Sequence, residues 1–262
     1  MSVISLTIDV ESDWGGRLPP KRQNCAGIEK GIPLLLSLLD DYEIKATFFI
    51  SASIFSLYKE LVKEMKAKGH EIASHGYLHV DYSNFKRDDL VYQMKKSKGI
   101  LEDGLSCEIL GFRTPQFKMN PYLYEALSTS GYKYDSSLVC GRLKGRYNSP
   151  SSKKSPFRTE YDILEIPISN IPMTNKPIGL LWVNHLGFAI FSVLSILSKV
   201  EQNIVIYLHP FDILKQKSKK DFGPLINFWY SFKSGDALNT LKRIIDYYSG
   251  NGNFVTLDKY LK

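Results

Sequence analysis

Three acidic residues close the segment Thr7-Ile8-Asp9-Val10-Glu11-Ser12-Asp13. Residues two apart in an extended chain point to the same face, so Asp9 and Glu11 would converge at the carboxyl end of a strand. Acids rarely end an otherwise apolar strand without a partner. The plainer alternative is a strand running out into a polar loop. His75 and His79 stand four apart in Ser74-His75-Gly76-Tyr77-Leu78-His79. That spacing would set both imidazoles on one face of a helical turn, where they can reach one metal. Alone the pair is a weak signal. Joined to a carboxylate from another strand end, it makes a two-histidine, one-carboxylate set with room for water. Such a set suits catalytic zinc, and also cobalt, iron or nickel.

Two further residues end strand-like runs. Arg113, in Gly111-Phe112-Arg113-Thr114-Pro115-Gln116-Phe117, would hold a nearby carboxylate and favour its charged form. A surface arginine before a turn reads the same. His209 follows the apolar run Ile204-Val205-Ile206-Tyr207-Leu208 and precedes Pro210-Phe211-Asp212. A histidine at a strand terminus facing a site is a natural proton donor, although a lone one is more often structural. His70 and His185 lack such a context and read as structural.

These positions need strands to hold them, and strand-like runs alternate with helical patterns along most of the chain. Strands are expected over Val3 to Asp9, Ala46 to Ile50, Glu71 to Ser74, Glu108 to Arg113, Ile163 to Ile168, Asn203 to Leu208 and Phe254 to Leu257. Helices are expected over Ile28 to Asp41, Phe55 to Lys68, Arg87 to Leu101, Pro121 to Ser130 (after Asn120 as cap) and Asp236 to Tyr248. Neither repeats nor low-complexity segments occur. Such alternation predicts a mostly parallel sheet with covering helices. Seven or eight units in 262 residues favour a barrel over an open sheet, as a single domain over 1–262.

Composition bounds the rest. Apolar residues at 44% and charged residues at 23% exclude a disordered chain and a coiled coil. The net charge of +7 is concentrated around Arg142 to Arg158 and Lys215 to Lys220. These read as solvated loops or as attraction to an anionic substrate or a phosphate-bearing lipid. No nucleic-acid module pattern accompanies them, so no nucleic-acid partner is expected. Cys25, Cys107 and Cys140 show no metal or redox spacing, and an odd count suggests reduced thiols. Met1 to Val10 has no basic n-region and no cleavage site, so a cytoplasmic location is the expectation. The most apolar stretch, Ile178 to Leu197, is about long enough to span a bilayer. Asn184, His185, Gly179 and Gly187 interrupt it, so it reads as a loop and then a buried or interfacial helix, which leaves a membrane-surface contact open.

Taken together and in this order, the segments resemble the NodB-homology polysaccharide deacetylases, carbohydrate esterase family 4. The matching pieces are Asp9-Val10-Glu11, His75 to His79, Arg113-Thr114-Pro115-Gln116-Phe117 and Leu208-His209; Ala46-Thr47-Phe48-Phe49 also looks like the family's second strand. The resemblance runs from about residue 3 to about residue 212. It departs from the usual adjacent Asp-Asp pair, and this Asp-x-Glu form looks like a branch that includes peptidoglycan-associated deacetylases and relatives acting on cyclic amides such as allantoin. The resemblance implies a distorted (β/α) barrel of about seven strands and hydrolysis of an N-acyl amide on an amino sugar. The alternatives are a hydrolase of a cyclic ureide or formamide, and a carbohydrate-binding pseudoenzyme. It implies one divalent metal, zinc first, on Glu11, His75 and His79, with Asp13 in reserve. It implies Asp9 as base, Arg113 as its holder and His209 as acid. Pro115, Gln116 and Phe117 would line the substrate, with a backbone N–H of Gln116 or Phe117 facing the oxyanion. The family's fourth-motif Asp, which orients the acid histidine, has Asp135 as its candidate.

Overall fold

The computed structural model describes residues 2–13, 25–143, 147–148, 153–198, 202–214 and 237–262. The chain runs from β1 (Ser2–Val10) through a helical turn at Gly27–Gly31 into α1 (Ile32–Asp41). It continues through β2 (Thr47–Ile50), α2 (Ala52–Leu57), α3 (Lys59–Ala67), β3 (Glu71–Ser74), α4 (Arg87–Leu105), β4 (Gly111–Phe112), α5 (Leu123–Thr129) and β5 (Tyr134–Asp135). β6 (Arg142–Leu143) and β7 (Tyr147–Asn148) pair with each other, antiparallel. Then follow β8 (Phe157–Arg158), β9 (Leu164–Glu165), α6 (Leu180–Leu186), α7 (Phe188–Leu197), β10 (Asn203–Leu208), α8 (Ala237–Ser249) and β11 (Gly252–Phe254).

The expected parallel sheet is present. Strands β10-β1-β2-β3-β4-β5-β9 lie side by side, every neighbouring pair parallel. β11 flanks β1, and β8 adds one antiparallel strand to β9. Beyond β9 the chain returns to β10: the Ser169 N–H donates to the Val205 carbonyl at 3.1 Å, and the Tyr207 N–H to the Ile178 carbonyl at 3.0 Å. The sheet thereby curls into a distorted barrel whose closing stretch is irregular.

Period-two alternation decides which side chains face the site. Ile4, Leu6, Ile8 and Val10 of β1 are buried in one core with Leu35 and Leu39 of α1 and Leu241 and Ile244 of α8. Burial of such a side chain is worth roughly 1.5–3 kcal/mol, so the register of β1 is strongly set. Ser5, Thr7 and Asp9 must then point the other way, into the barrel. A second cluster fills that interior: Phe49, Ala73, Phe117, Tyr134, Val205 and Tyr207.

Several boundaries differ from the sequence expectation. The run Glu108 to Arg113 yields only Gly111–Phe112 as strand, and Ile163 to Ile168 only Leu164–Glu165. The apolar content of those runs serves burial, while ladder hydrogen bonds engage only two residues. The final strand is Gly252–Phe254, earlier than Phe254 to Leu257, because Leu257 opens a short helical turn that packs into the barrel. Phe55 to Lys68 is two helices broken at Tyr58. The helix expected from Pro121 opens only at Leu123, with Tyr122 at its cap position; Asn120 instead closes the preceding turn, its side chain accepting the Tyr122 N–H at 2.8 Å and its carbonyl the Leu123 N–H at 3.0 Å. Most of the basic run Lys215 to Lys220, and residues 144–146 and 149–152 of the other basic run, lie outside the described residues.

Gly111 is where the barrel interior is tightest. A Cβ there would fall 1.9 Å from Tyr134 Cζ. Gly111→Ala should therefore destabilise the protein by about 1–3 kcal/mol, the usual cost of overpacking, read as a lower urea midpoint. An unchanged midpoint would mean that the Tyr134 ring has room to swing aside.

Candidate active site

The site sits at the carboxyl ends of β1, β3, β4 and β10, where parallel barrels place their chemistry. Asp9 is the last inward residue of β1 and Glu11 follows it out of the strand; both are buried. Arg113 leaves β4 and is fully buried. Its Nη1 donates to Asp9 Oδ1 at 2.7 Å and to Thr7 Oγ1 at 2.9 Å. Its Nε donates to the Ser136 carbonyl and its Nη2 to Ser136 Oγ, both at 2.9 Å. The guanidinium lies 4.1 Å from the centre of the Phe49 ring. The predicted pairing of Asp9 with Arg113 is thus present, and Thr7 and Ser136 complete it.

Glu11, His75 and His79 each bring one ligand atom to within 4.8 Å of the others. Glu11 Oε2 lies 3.3 Å from His75 Nε2 and close against His79 Nε2. It is buried and accepts no well-aligned hydrogen bond. His75 Nδ1 meets the Arg113 carbonyl at 2.8 Å. A carbonyl only accepts, so Nδ1 carries the proton, and in the neutral ring the Nε2 lone pair faces Glu11. A carboxylate oxygen and an imidazole lone pair facing one another repel unless a cation lies between them. The donor set therefore fits a divalent ion held by two nitrogens and one oxygen, with a carbonyl fixing one ligand tautomer from behind. Burial pushes the Glu11 carboxyl up. The charge of His79, close contacts with His75 and His79, and the charge of His209 outweigh burial and hold it well below the ordinary carboxylate range.

The two histidines do not share a helical turn, as their spacing had suggested. Residues 75–80 form a loop after β3. Gly76 takes φ +81°, a left-handed conformation that favours glycine. The Tyr82 hydroxyl accepts the Tyr77 N–H at 3.1 Å and donates to the Leu78 carbonyl at 3.0 Å, which curls the loop back. The spacing of four brings the imidazoles together through this loop, with ring centres 5.4 Å apart.

His209 stands 3.6 Å from Glu11 through its Nε2. It stacks on Phe211 at 4.8 Å. Asp212 Oδ2 accepts the His209 backbone N–H at 2.9 Å and lies 3.2 Å from Nδ1. Burial lowers the affinity of this imidazole for a proton. The charge and hydrogen bond of Asp212, then the charges of Glu11 and Asp9, outweigh burial and push it up to about 9. Orientation of His209, for which Asp135 was the sequence candidate, therefore belongs to Asp212. The signal was local: His-Pro-x-Asp is a short turn whose fourth residue reaches back to its first.

Asp135 does different work. It accepts the Ser137 hydroxyl at 2.6 Å, and Ser137 Oγ accepts the Thr114 N–H at 2.8 Å. It shares its surroundings with Glu165, whose Oε1 accepts the Leu138 N–H at 3.0 Å. Burial first, then the mutual charge of the pair, pushes Glu165 well above the carboxylate range, and burial pushes Asp135 up as well. Asp13 accepts the Gly27 N–H at 2.9 Å and stands outside the ligand group, while Glu11 points into it. Pro115, Gln116 and Phe117 form a turn in which Gln116 and Phe117 take φ of 61° and 57°. The Phe117 N–H donates to the Thr114 carbonyl at 3.3 Å. His70 accepts the Ala46 N–H at 3.2 Å, and His185 Nδ1 meets the Leu181 carbonyl at 2.7 Å, so both are structural as expected.

The sequence profile described as polysaccharide deacetylase matches residues 2–134, half of the chain. This chain belongs to the polysaccharide deacetylase family. It is 30% identical to a peptidoglycan deacetylase of Helicobacter pylori over 139 residues, 50% of this chain and 47% of that one. It is 32% identical to a chitin deacetylase of a Pestalotiopsis species over 102 residues, 37% of this chain and 34% of that one. The chain thus spans less than half the length of these curated relatives. Among solved structures, the allantoinase PuuE aligns at TM-score 0.63 with 16% identity, over 96% of this chain and 85% of that one. A CE4 family pseudoenzyme from Bacillus anthracis aligns at TM-score 0.56 with 12% identity, over all of this chain and 66% of that one. At such identities these structures speak for the fold alone.

Metal analysis of the protein purified without chelator should give about one divalent ion per chain. His75→Ala and His79→Ala should each abolish stoichiometric binding, and Asp13→Asn should leave it intact. Full occupancy persisting in both histidine variants would remove the ligand assignment.

Proposed function

We propose that this deacetylase removes the N-acetyl group of an amino sugar, with a divalent metal, zinc first, on Glu11, His75 and His79. The observation that carries the proposal is the convergence of a held base and an oriented acid on one ligand cluster. Asp9 reaches it from β1 and His209 from the neighbouring β10, whose paired registers end together. When bound, the metal would supply Lewis acidity and a template for the attacking water and the amide carbonyl. Asp9, fixed through Arg113, takes the proton of the attacking water. His209, protonated near neutrality and held by Asp212, gives a proton to the departing nitrogen. The Gln116 amide faces the developing oxyanion.

A pseudoenzyme need not keep base, ligands and acid together, and this chain keeps all of them. For substrate, the relatives named for peptidoglycan and chitin favour an N-acetylated glycan or its precursor over a cyclic ureide. For the substrate we favour a soluble or lipid-linked precursor met in the cytoplasm, a setting that an odd count of three cysteines suits. Purified protein should release acetate from N-acetylated sugar oligomers or precursors and leave allantoin intact. The reverse result would transfer the activity to cyclic amides.

The roles also separate kinetically. Asp9→Asn should lose about 10²–10⁴-fold in turnover, the usual worth of a general base, with metal content unchanged. His209→Ala should lose a similar factor on amides and much less on an ester with a good leaving group. Equal losses on both would remove His209 from the acid role. Protonated His209 is the active form, so amide turnover should fall as pH rises through its pKa. A cation on Glu11 offsets one of the charges that raise that pKa, so the alkaline limb of the loaded enzyme should lie below about 9. Asp212→Asn removes the largest upward influence and should move that limb to lower pH.

A further inference from the structure

α7 carries an exposed apolar stripe that no other described element covers. Ile190, Val193, Ile196 and Leu197 are 52%, 54%, 70% and 71% exposed, while Phe191 on the opposite face is fully buried against Tyr247 and Tyr248 of α8. From Ile178 to Ser198 the sequence holds no Asp, Glu, Lys or Arg. A surface helix ordinarily sets charge opposite its buried face; this one sets aliphatic side chains there. An exposed apolar patch rimmed by polar groups marks an interaction site.

The rim indicates what covers it. Arg243 of α8, exposed, lies with its guanidinium 4.3 Å from the centre of Phe188, the first residue of α7. Lys176, just before α6, lies 4.7 Å from the centre of the Trp182 ring. The nearest exposed acid on α8 among the described residues, Asp246, accepts the Tyr42 hydroxyl at 2.8 Å, on the side of α1. Phe188 of α7 and Trp182 of the adjoining α6 are thus each paired with a cation. Aromatic rings with one wet edge and cations with apolar stems settle at the boundary between hydrocarbon and anionic headgroups. A second copy of the chain would bring the same cations to the seam, which like-charge repulsion opposes.

Depth is limited by length. α6 and α7 meet at 99°, and no single helix among the described residues is long and apolar enough to cross a membrane. Ten residues of α7 extend about 15 Å, half the hydrocarbon thickness. We propose that α7, bordered by Arg243 and Lys176, lies in the plane of an anionic lipid leaflet and docks the protein there. This placement stands independently of the reaction assigned to the barrel.

Flotation of the full chain with vesicles tests it. The protein should rise with vesicles of phosphatidylcholine containing 30% phosphatidylglycerol in low salt, and much less with phosphatidylcholine alone or in 0.5 M NaCl. Val193→Glu with Ile196→Glu should cut partitioning by roughly tenfold or more, since charge is placed in the buried face. Arg243→Gln should cut it roughly fivefold, the worth of one basic residue at such a surface. Circular dichroism checks that the variants fold; Val193→Ser serves in place of the double variant if that one does not. Wild-type protein staying soluble, or variants floating as well as wild type, would overturn the proposal. So would a concentration-dependent dimer in sedimentation that the glutamate variants abolish, which would assign the face to a second copy.

Discussion

A guanidinium with no access to water has to be satisfied on every side, and Arg113 is so placed at the mouth of the barrel. A charge buried without its partner costs about 3–5 kcal/mol. Four hydrogen bonds from three donor nitrogens tie it to β1 through Thr7 and Asp9 and to the residue after β5 through Ser136. The face of Phe49 closes it from β2. The same residue's carbonyl fixes the tautomer of His75. One position therefore holds Asp9 and orients His75, so the separation between Asp9 and the Glu11, His75 and His79 cluster is set by the backbone leaving β4 more than by any flexible side chain.

His209 stands on a different support. It ends β10, and its ring is held by Asp212 and Phe211 from the turn that follows. β10 and β1 are neighbouring parallel strands, so Asp9 and His209 approach from adjacent strand ends. Asp9 has a cation beside it, while His209 has three carboxylates around it: Asp212, Glu11 and Asp9. Those carboxylates push His209 up, which suits the acid role proposed above.

What could be read from sequence was local and periodic. The alternation in β1 places Asp9 and Glu11 on the inward face because Ile4, Leu6, Ile8 and Val10 must face the helices. The apolar run before His209 and the turn chemistry at Asn120 were equally plain. The loop that carries His75 and His79 was not legible, because its shape depends on the Tyr82 hydroxyl and on the left-handed Gly76, neither of which enters a periodicity argument. The pairing of Asp135 with Glu165 joins residues 30 apart on adjacent strands, and two acids alone in sequence give no sign of it. Asp212 is legible in the turn three residues beyond His209, whereas Asp135 is separated from His209 by the whole stretch before β10.

The charges of the barrel explain why its buried acids separate into different fates. Asp9 is balanced by Arg113. Asp135 and Glu165 share a dry interior in which the charge of one opposes the charge of the other, so burial pushes both upward, and Asp135 braces the arginine loop through Ser137 and Thr114. Glu11 is the remaining case: ionised, buried and faced by imidazole nitrogens. As ligands, two neutral imidazoles and one carboxylate would leave a divalent ion with a single positive charge, which the reaction proposed above calls for. His209 lies 3.6 Å from the same carboxylate. The buried acid whose charged neighbours are imidazoles is therefore the one around which that chemistry can be built.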